Sequence, residues 1–204
     1  MSRVGLPRRK ALVGLVPPGG TIVDVGADHG YVAEAVGAIA TKREPHRAGN
    51  ARVNWVICDG LAAFSQVDTA IIAGMGVMTI LGILERGPLP HTLVAHAQDD
   101  PPKLRQCLAQ AGWRIDAEAL APEAGRYAEV LRAVRGDEPS SGLELEFGPR
   151  LRERGDPHLV PHLTDRVAYY TQLATQTRDR SMAKHQWAAE RAAYLTVWLR
   201  QLTP

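Results

Sequence analysis

Apolar residues run along the first two thirds of this chain in short unbroken blocks, with helical spacing between them. Residues 21–25, 69–73 and 92–95 are almost wholly apolar. Blocks of that kind fit strands of a parallel sheet covered by helices on both faces. Residues 37–41 and 52–58 read as two more strands, and residues 114–120 and 128–134 as a closing pair. The closing pair is joined by a glycine loop at Glu123-Ala124-Gly125 with no helix between, which predicts a hairpin. Helices are predicted over 7–16, stopped by Pro17-Pro18-Gly19-Gly20, and over 31–36, 77–84 and 103–111. The result is an α/β domain with a mostly parallel, seven-stranded sheet.

The pattern changes at Gly136-Asp137-Glu138-Pro139-Ser140-Ser141-Gly142, where a boundary is expected between domains 1–137 and 138–204. Beyond it, Leu163, Val167, Tyr170 and Leu173 fall at helical spacing. So do Trp187, Tyr194, Leu195, Trp198 and Leu202. A break near residues 179–182 predicts a helical hairpin, with one long helix as the alternative. The tail tryptophans read mainly as core, and as RNA-stacking residues in the lesser reading.

Composition adds little until charge is placed along the chain. The formal net charge is +2, yet residues 1–10 carry Arg3, Arg8, Arg9 and Lys10 and no acid. Residues 11–146 balance to −6 and residues 147–204 to +4. Basic ends around an acidic middle suit a polyanionic partner, though solvated surface charge gives the same pattern. Cys58 and Cys107, the two cysteines, form no disulfide framework and lack metal-ligand spacing, so no metal is expected. Cys58 reads as a small buried hydrophobe. No apolar run reaches membrane-spanning length and no secretory signal opens the chain, so a cytoplasmic protein is expected.

The chemistry concentrates at strand-to-helix turns. Asp24-x-Gly26-x-Asp28-x-Gly30, followed by Tyr31, ends the first strand and starts a helix. Glycines let backbone approach a ligand there. Asp28 stands where a dinucleotide fingerprint has glycine, and its charge would repel a pyrophosphate. A sulfonium ligand bearing an ammonium group is attracted instead, which points to S-adenosylmethionine. Asp28 as a helix N-cap is the structural alternative. His29 reads equally as a proton carrier or as a hydrogen-bonding residue under the cofactor. Asp59 and Gly60 follow the third strand, where an acid meets the adenine amino group in this fold class. Ala73-Gly74-Met75-Gly76 follows the fourth strand, on the acceptor side, where glycines let carbonyls line the site. His91 and His96 read as incidental.

Together, Val23-Asp24-Val25-Gly26-Ala27-Asp28-His29, Gly37-Ala38-Ile39-Ala40, Asp59-Gly60-Leu61, Ile71-Ile72-Ala73-Gly74-Met75-Gly76 and Phe147-Gly148-Pro149 resemble the bacterial tRNA adenine-N1 methyltransferases that act at position 22 of tRNA. The resemblance implies a Rossmann-like class I methyltransferase domain, a C-terminal helical, coiled-coil-like domain, S-adenosylmethionine as donor and tRNA as acceptor. It puts cofactor contacts at Asp24, Gly26, Asp28, His29, Gly30, Tyr31, Asp59, Gly60, Ala73 and Gly74. Asp28, Gly74 and Met75 would stand at the reacting atoms. Where the family has a ribose-binding glutamate this chain has Lys42, with Glu44 as the substitute, and the segment between strands 2 and 3 is short. The doubled glycine after the family's methionine is Gly76-Val77 here, and its Gln-Pro-Asn is His96-Ala97-Gln98.

The expected reaction is methyl transfer to N1 of an adenine, with the base out of its stack and alignment as the main source of rate. Phosphate contacts are expected from Arg3, Arg8, Arg9, Lys10, Arg150, Arg152, Arg154, Arg178, Arg180 and Lys184. A monomer is expected. The rival readings are a small-molecule methyltransferase of the same fold and a non-catalytic RNA-binding protein with a degenerate cofactor site.

Overall fold

The computed structural model describes residues 6–44, 51–123 and 125–203. The chain folds as two units, residues 1–153 and 154–204. The first unit extends past the expected break at residue 137, as far as residue 153.

The first unit runs α1 (Leu6–Leu15), β1 (Ile22–Val25), α2 (Tyr31–Val36), β2 (Ile39–Lys42), β3 (Trp55–Ile57), β4 (Thr69–Met75), α3 (Val77–Arg86), β5 (Thr92–Ala97), α4 (Pro101–Gln110), β6 (Trp113–Glu123), β7 (Arg126–Arg135), α5 (Gly142–Glu146) and α6 (Pro149–Arg154). The strands form one sheet in the order β3-β2-β1-β4-β5-β7-β6. The first five are parallel, and β7 enters antiparallel between β5 and β6. Strand order reverses between β1 and β4, and the crevice outside the carboxyl ends of such a pair is where open α/β sheets bind ligands.

All seven predicted strands are present, with different ends. β4 and β5 reach Met75 and Ala97, beyond the apolar blocks that announced them. The ladder between them slips at Gly74, a glycine at φ 75° between Ala73 and Met75. β3 has only three residues, and no described residue between β2 and β3 is helical.

Apolar residues pack both faces of the sheet. Val23, Ala70, Ile72, Leu93 and Ala95 turn toward α3 and α4, while Ile71, Val94, Ala117 and Val130 turn toward α1 and α2. Residues such as Ile71, Ile72 and Leu93 are wholly buried, and each such side chain stabilises the fold by roughly 1.5–3 kcal/mol. Helix starts are satisfied from the strand ends. Neither Gly30 nor Gly76 supplies a side-chain cap to α2 or α3. Asp24 lies at the first turn of α2, where the Ala33 N–H favours its charged form. Asp99, just past β5, accepts from the Val77 N–H that opens α3 at 3.0 Å, and Asp100 caps α4 through the Lys103 N–H.

The Phe147-Gly148-Pro149 run closes over a buried charge cluster. Arg105 of α4, wholly buried, donates to Glu118 at 2.6 Å, to Glu129 at 2.8 Å and to the Glu146 carbonyl at 3.1 Å. Gly148, at φ 85°, lies where a Cβ would sit 3.1 Å from Arg105 and 3.2 Å from Glu118. Glycine is therefore required there by conformation and by space.

The second unit is a helical hairpin, α7 (Leu159–Thr177) and α8 (Met182–Leu202), with the turn at residues 178–181. The hairpin alternative thus holds over a single long helix. Leu163, Tyr170, Ala174, Ala188, Leu195 and Trp198 are among its buried residues. No described helix is long and apolar enough to cross a membrane.

Candidate active site

Two cavities open at the carboxyl ends of β1, β2 and β4 and share Val25, Gly26, Ala27 and Asp28. The first, of about 370 Å³, is lined by Thr41, Lys42, Arg43 and Glu44 from the β2 end, Cys58, Asp59 and Gly60 from the β3 end, and Met75, Thr79, Ile83 and Arg86. The second, of about 270 Å³, is lined by Arg8, Arg9 and Leu12 of α1, Asp24, His29, Gly30, Tyr31 and Val32 around the first turn, and Ala73, Gly74 and Gln98. The cofactor candidates therefore converge, divided between the two cavities.

The shared turn is held by β2. Thr41, almost fully buried, accepts the Ala27 N–H through its carbonyl at 3.1 Å and the Gly26 N–H through Oγ1 at 3.3 Å. Gly26 is at φ 67°, and a Cβ on it would collide with Met75 Cε. Gly30, at φ 71°, faces Trp55, whose ring lies 2.9 Å from the place of a Cβ. These two glycines are required, one by the β4 loop and one by β3.

Asp24 is the buried acid of the site, 8% exposed. Burial pushes its carboxyl from 3.8 up to about 7, against the opposing pull of the Ala33 N–H. A cation arriving in the second cavity would restore the charged form. Asp28 is different: its side chain is exposed, and the Asp28 carboxylate pairs with His29 Nε2 at 3.1 Å. It does not cap α2, whose N-cap is Gly30, so that structural alternative is set aside. The His29 ring leans on Tyr31 with centroids 5.6 Å apart.

At the β2 end, Lys42 donates to the Asp28 carbonyl at 2.7 Å and lies 4.2 Å from the Trp55 ring centroid. The lysine that stands in the ribose acid's place thus braces the glycine turn. Glu44 lines the same cavity two residues on, exposed. Asp59 is exposed and lies 3.6 Å from both Arg43 and Arg86. Cys58 is half-buried and bonds the Gly60 carbonyl at 3.4 Å. The expectation of a buried Cys58 is corrected: β3 is short, and its end opens on the cavity.

At the end of β4 the Gly74 bulge places Met75 over Gly26, and the Gln98 N–H donates to the Met75 carbonyl at 3.0 Å. The Gln98 amide lies 3.5 Å from the place of a Gly74 Cβ. In the sequence Gln98 stands out only as part of a family departure; tertiary pairing of β4 with β5 puts it in the cavity. His96 is buried at the end of β5, and its Nδ1 has no hydrogen-bond partner. Burial, followed by Arg8 and Arg126, pushes its pKa down to about 4, so the ring is neutral.

The basic residues separate into groups. Arg3 lies outside the described residues. Arg8 pairs with Glu123 at 2.9 Å and Arg9 lies 4.3 Å from the Tyr31 ring centroid, so both belong to the cavity wall. Lys10 is exposed on α1. Arg150 is turned inward, bonding the Ile115 carbonyl at 2.8 Å and pairing with Glu138 and Glu153. Arg152, Arg154, Arg178, Arg180 and Lys184 are exposed. Among the described residues no group of three His, Cys, Asp or Glu side chains could hold a metal ion.

The arrangement can be compared with known proteins. The model of the tRNA (adenine(22)-N(1))-methyltransferase family, TrmK, matches residues 39–195. Comparison with curated proteins finds no match. Among solved structures, Sp1610 of Streptococcus pneumoniae is similar with a TM-score of 0.80 and 24% identity over 98% of this chain and 99% of that one. The Bacillus subtilis m1A22 tRNA methyltransferase TrmK gives 0.74 and 21% over 94% and 97%. Mycoplasma capricolum TrmK, solved with S-adenosylhomocysteine, gives 0.76 and 17% over 98% of both chains. At these identities the structures establish a common fold. The family model spans most of the chain, and on that ground this protein belongs to the TrmK family of S-adenosylmethionine-dependent tRNA (adenine(22)-N(1))-methyltransferases.

Proposed function

We propose that the two cavities together form the catalytic cleft of this methyltransferase, with the donor lying across the shared glycine turn and adenine 22 of tRNA entering the second cavity beside Gly74. The observation that carries this reading is the buried carboxylate of Asp24, which lines the cleft where strand order reverses. Its burial disfavours charge unless a cation joins it, and a ligand bearing an ammonium and a sulfonium supplies one.

Asp24 and Asp28 would hold the positive end of S-adenosylmethionine, and the backbone of Gly26 and Gly30 would give it close passage. His29 and Tyr31 complete that wall. Asp59 and Gly60 would meet the adenine ring of the donor, and Glu44 the ribose hydroxyls, with Lys42 bracing the turn. The cofactor supplies an electrophilic methyl group.

N1 of adenine already carries its lone pair, so no residue has to create the nucleophile. The chain's task is to align the base and exclude water. Ala73, Gly74 and Met75 give that wall its shape, and the bulge turns backbone toward the second cavity. Methylation leaves the base cationic. The Asp28 carboxylate and the carbonyls around Gly74 would favour that charge. Neutral His96 adds no opposing charge. Arg8 and Arg9, at the cavity rim, would take the phosphates of the everted nucleotide. The exposed Lys10, Arg152, Arg154, Arg178, Arg180 and Lys184 would hold the tRNA body without reading sequence. The protein would act as a cytoplasmic monomer.

Isothermal titration with S-adenosylmethionine tests the donor assignment: saturable binding that Asp59→Ala weakens is expected. Absence of heat at millimolar donor would count for a non-catalytic RNA-binding protein. The acceptor class is tested by salt, because binding of a polyanion weakens steeply as salt rises and methylation of a small neutral molecule does not.

A further inference from the structure

The helical hairpin carries an aromatic array that its own packing does not consume. Tyr169 and Tyr170 of α7 meet edge to face with centroids 5.1 Å apart, and Tyr170 meets Trp187 of α8 in the same way at 5.5 Å. Tyr170 is buried, but the two outer rings are open: Tyr169 is 52% and Trp187 42% exposed. A guanidinium attends each side. Arg166 lies 4.9 Å from the Tyr170 centroid and 5.7 Å from that of Tyr169, and it donates to the Tyr170 hydroxyl at 2.7 Å. Arg191 lies 4.2 Å from the Trp187 centroid and is fixed to the Trp187 carbonyl at 3.1 Å.

Leu163, Ala174, Ala188, Leu195 and Trp198 already close the hairpin core. Exposed aromatic area at Tyr169 and Trp187 therefore has no packing purpose within the unit. The guanidiniums are held against the rings by hydrogen bonds of their own, which pre-organises a surface of mixed aromatic and cationic character whose neighbouring rings are tilted by 70° and 71° and do not lie in one plane. The open ring of Tyr169 or of Trp187 offers a stacking plane to a nucleobase, which stacks on aromatic rings and on guanidinium planes whatever its sequence identity. The surrounding charge selects a polyanion: Arg178, Arg180 and Lys184 are exposed on the same hairpin. Three acids lie on the same hairpin and offset part of that charge: Asp165 next to Arg166, Asp179 between Arg178 and Arg180, and Glu190, which is 4.0 Å from Arg191.

We propose that the Tyr169–Tyr170–Trp187 array, flanked by Arg166 and Arg191, is a stacking platform for an unpaired base of the substrate tRNA. This rests on the tRNA reading above and adds a site distinct from the methylation cleft. The platform contributes affinity through a base face. Arg178, Arg180 and Lys184 contribute through phosphates.

The two contributions differ in salt dependence, and that difference is the test. Affinity of the full chain for unmodified tRNA is measured by filter binding across a salt series. Tyr169→Ala and Trp187→Ala should each weaken binding roughly 5- to 100-fold, the usual effect of losing one stacked base, with the slope of log affinity against log salt unchanged. Trp187→Phe should restore most of the loss. Arg178→Ala should instead flatten the slope by about one phosphate contact. Donor binding and the rate at saturating tRNA should stay at wild-type values in the aromatic variants. Tyr169 is exposed on the helix surface, so its variant keeps the test valid if truncating Trp187 unfolds the hairpin. Wild-type affinity in Tyr169→Ala and in a folded Trp187→Ala, or a loss that comes with a flattened slope, overturns the platform alone. A wild-type protein that binds no tRNA overturns both the platform and the tRNA reading.

Discussion

Replacing Asp24 with asparagine should make the protein more stable and less able to bind its donor. The carboxyl lies within β1, 8% exposed, and burial lifts it from 3.8 to about 7. At about 1.4 kcal/mol per decade of pH, ionising it in the folded chain costs roughly 4 kcal/mol more than in the unfolded chain. The folded value lies above the unfolded one. Between about pH 4 and pH 7 the folded state holds a proton that the unfolded state has released, so stability falls as pH rises through that window and is level above it. Asparagine has no charge to create and keeps nearly the same shape and an acceptor oxygen. The variant should match the wild type near pH 4 and exceed it by up to roughly 4 kcal/mol near pH 8. Donor binding should move the other way. A cationic ligand needs the carboxylate, so wild-type affinity should rise about tenfold per pH unit from about pH 5 to pH 7, and the asparagine variant should bind weakly with little slope. Urea titrations at several pH values and calorimetry across the same range measure both effects. An asparagine variant less stable than wild type near pH 8, together with pH-independent wild-type binding, would refute the reasoning.

Gly26→Ala should cost about 1–2 kcal/mol for the left-handed backbone and should weaken donor binding further, because the new methyl displaces Met75; thermal melts with and without donor separate the two effects. Arg105→Met leaves Glu118 and Glu129 facing each other in the interior and should cost about 3–5 kcal/mol, read from denaturant midpoints. His96, lowered to about 4, contributes stability above about pH 6.5 that is lost as pH falls toward 4, by at most roughly 3 kcal/mol. His96→Leu should abolish that acid-side loss, opposite in sign to the effect of Asp24 over the same window. A persistent acid-side loss in the leucine variant would show that another group causes it.

Local chemistry made most of the fold legible. The apolar blocks around Val23, Ile71 and Val94 can only be covered strands, and Pro17-Pro18 and the glycines at 26, 30 and 125 place the turns. Strand ends were less visible because β4 and β5 continue through polar and glycine residues once each has a partner to pair with. The candidate cofactor residues came together because they sit at the ends of adjacent parallel strands, which sequence order already implies. What sequence could not give was contact across the sheet. Arg8 and Arg9 read in the sequence as phosphate contacts of a basic N-terminal helix, and the packing of α1 beside β6 and β7 sets them in the cavity wall. Arg150 looked like a phosphate contact and is turned inward by Glu138 and the Ile115 carbonyl. The buried Arg105–Glu118 pair left no sequence signal, since two charges thirteen residues apart on a helix and a strand carry no period. Asp99 likewise caps a helix twenty-two residues before it.

The central claim is methyl transfer to N1 of adenine 22 in this cleft. The most direct measurement is nucleoside mass spectrometry of an unmodified tRNA transcript incubated with the protein and isotope-labelled S-adenosylmethionine, beside the same transcript with guanine at that position. Labelled 1-methyladenosine in the first transcript, and its absence from the second, is the expected result. Equal label in both, or label on another base, would contradict the account.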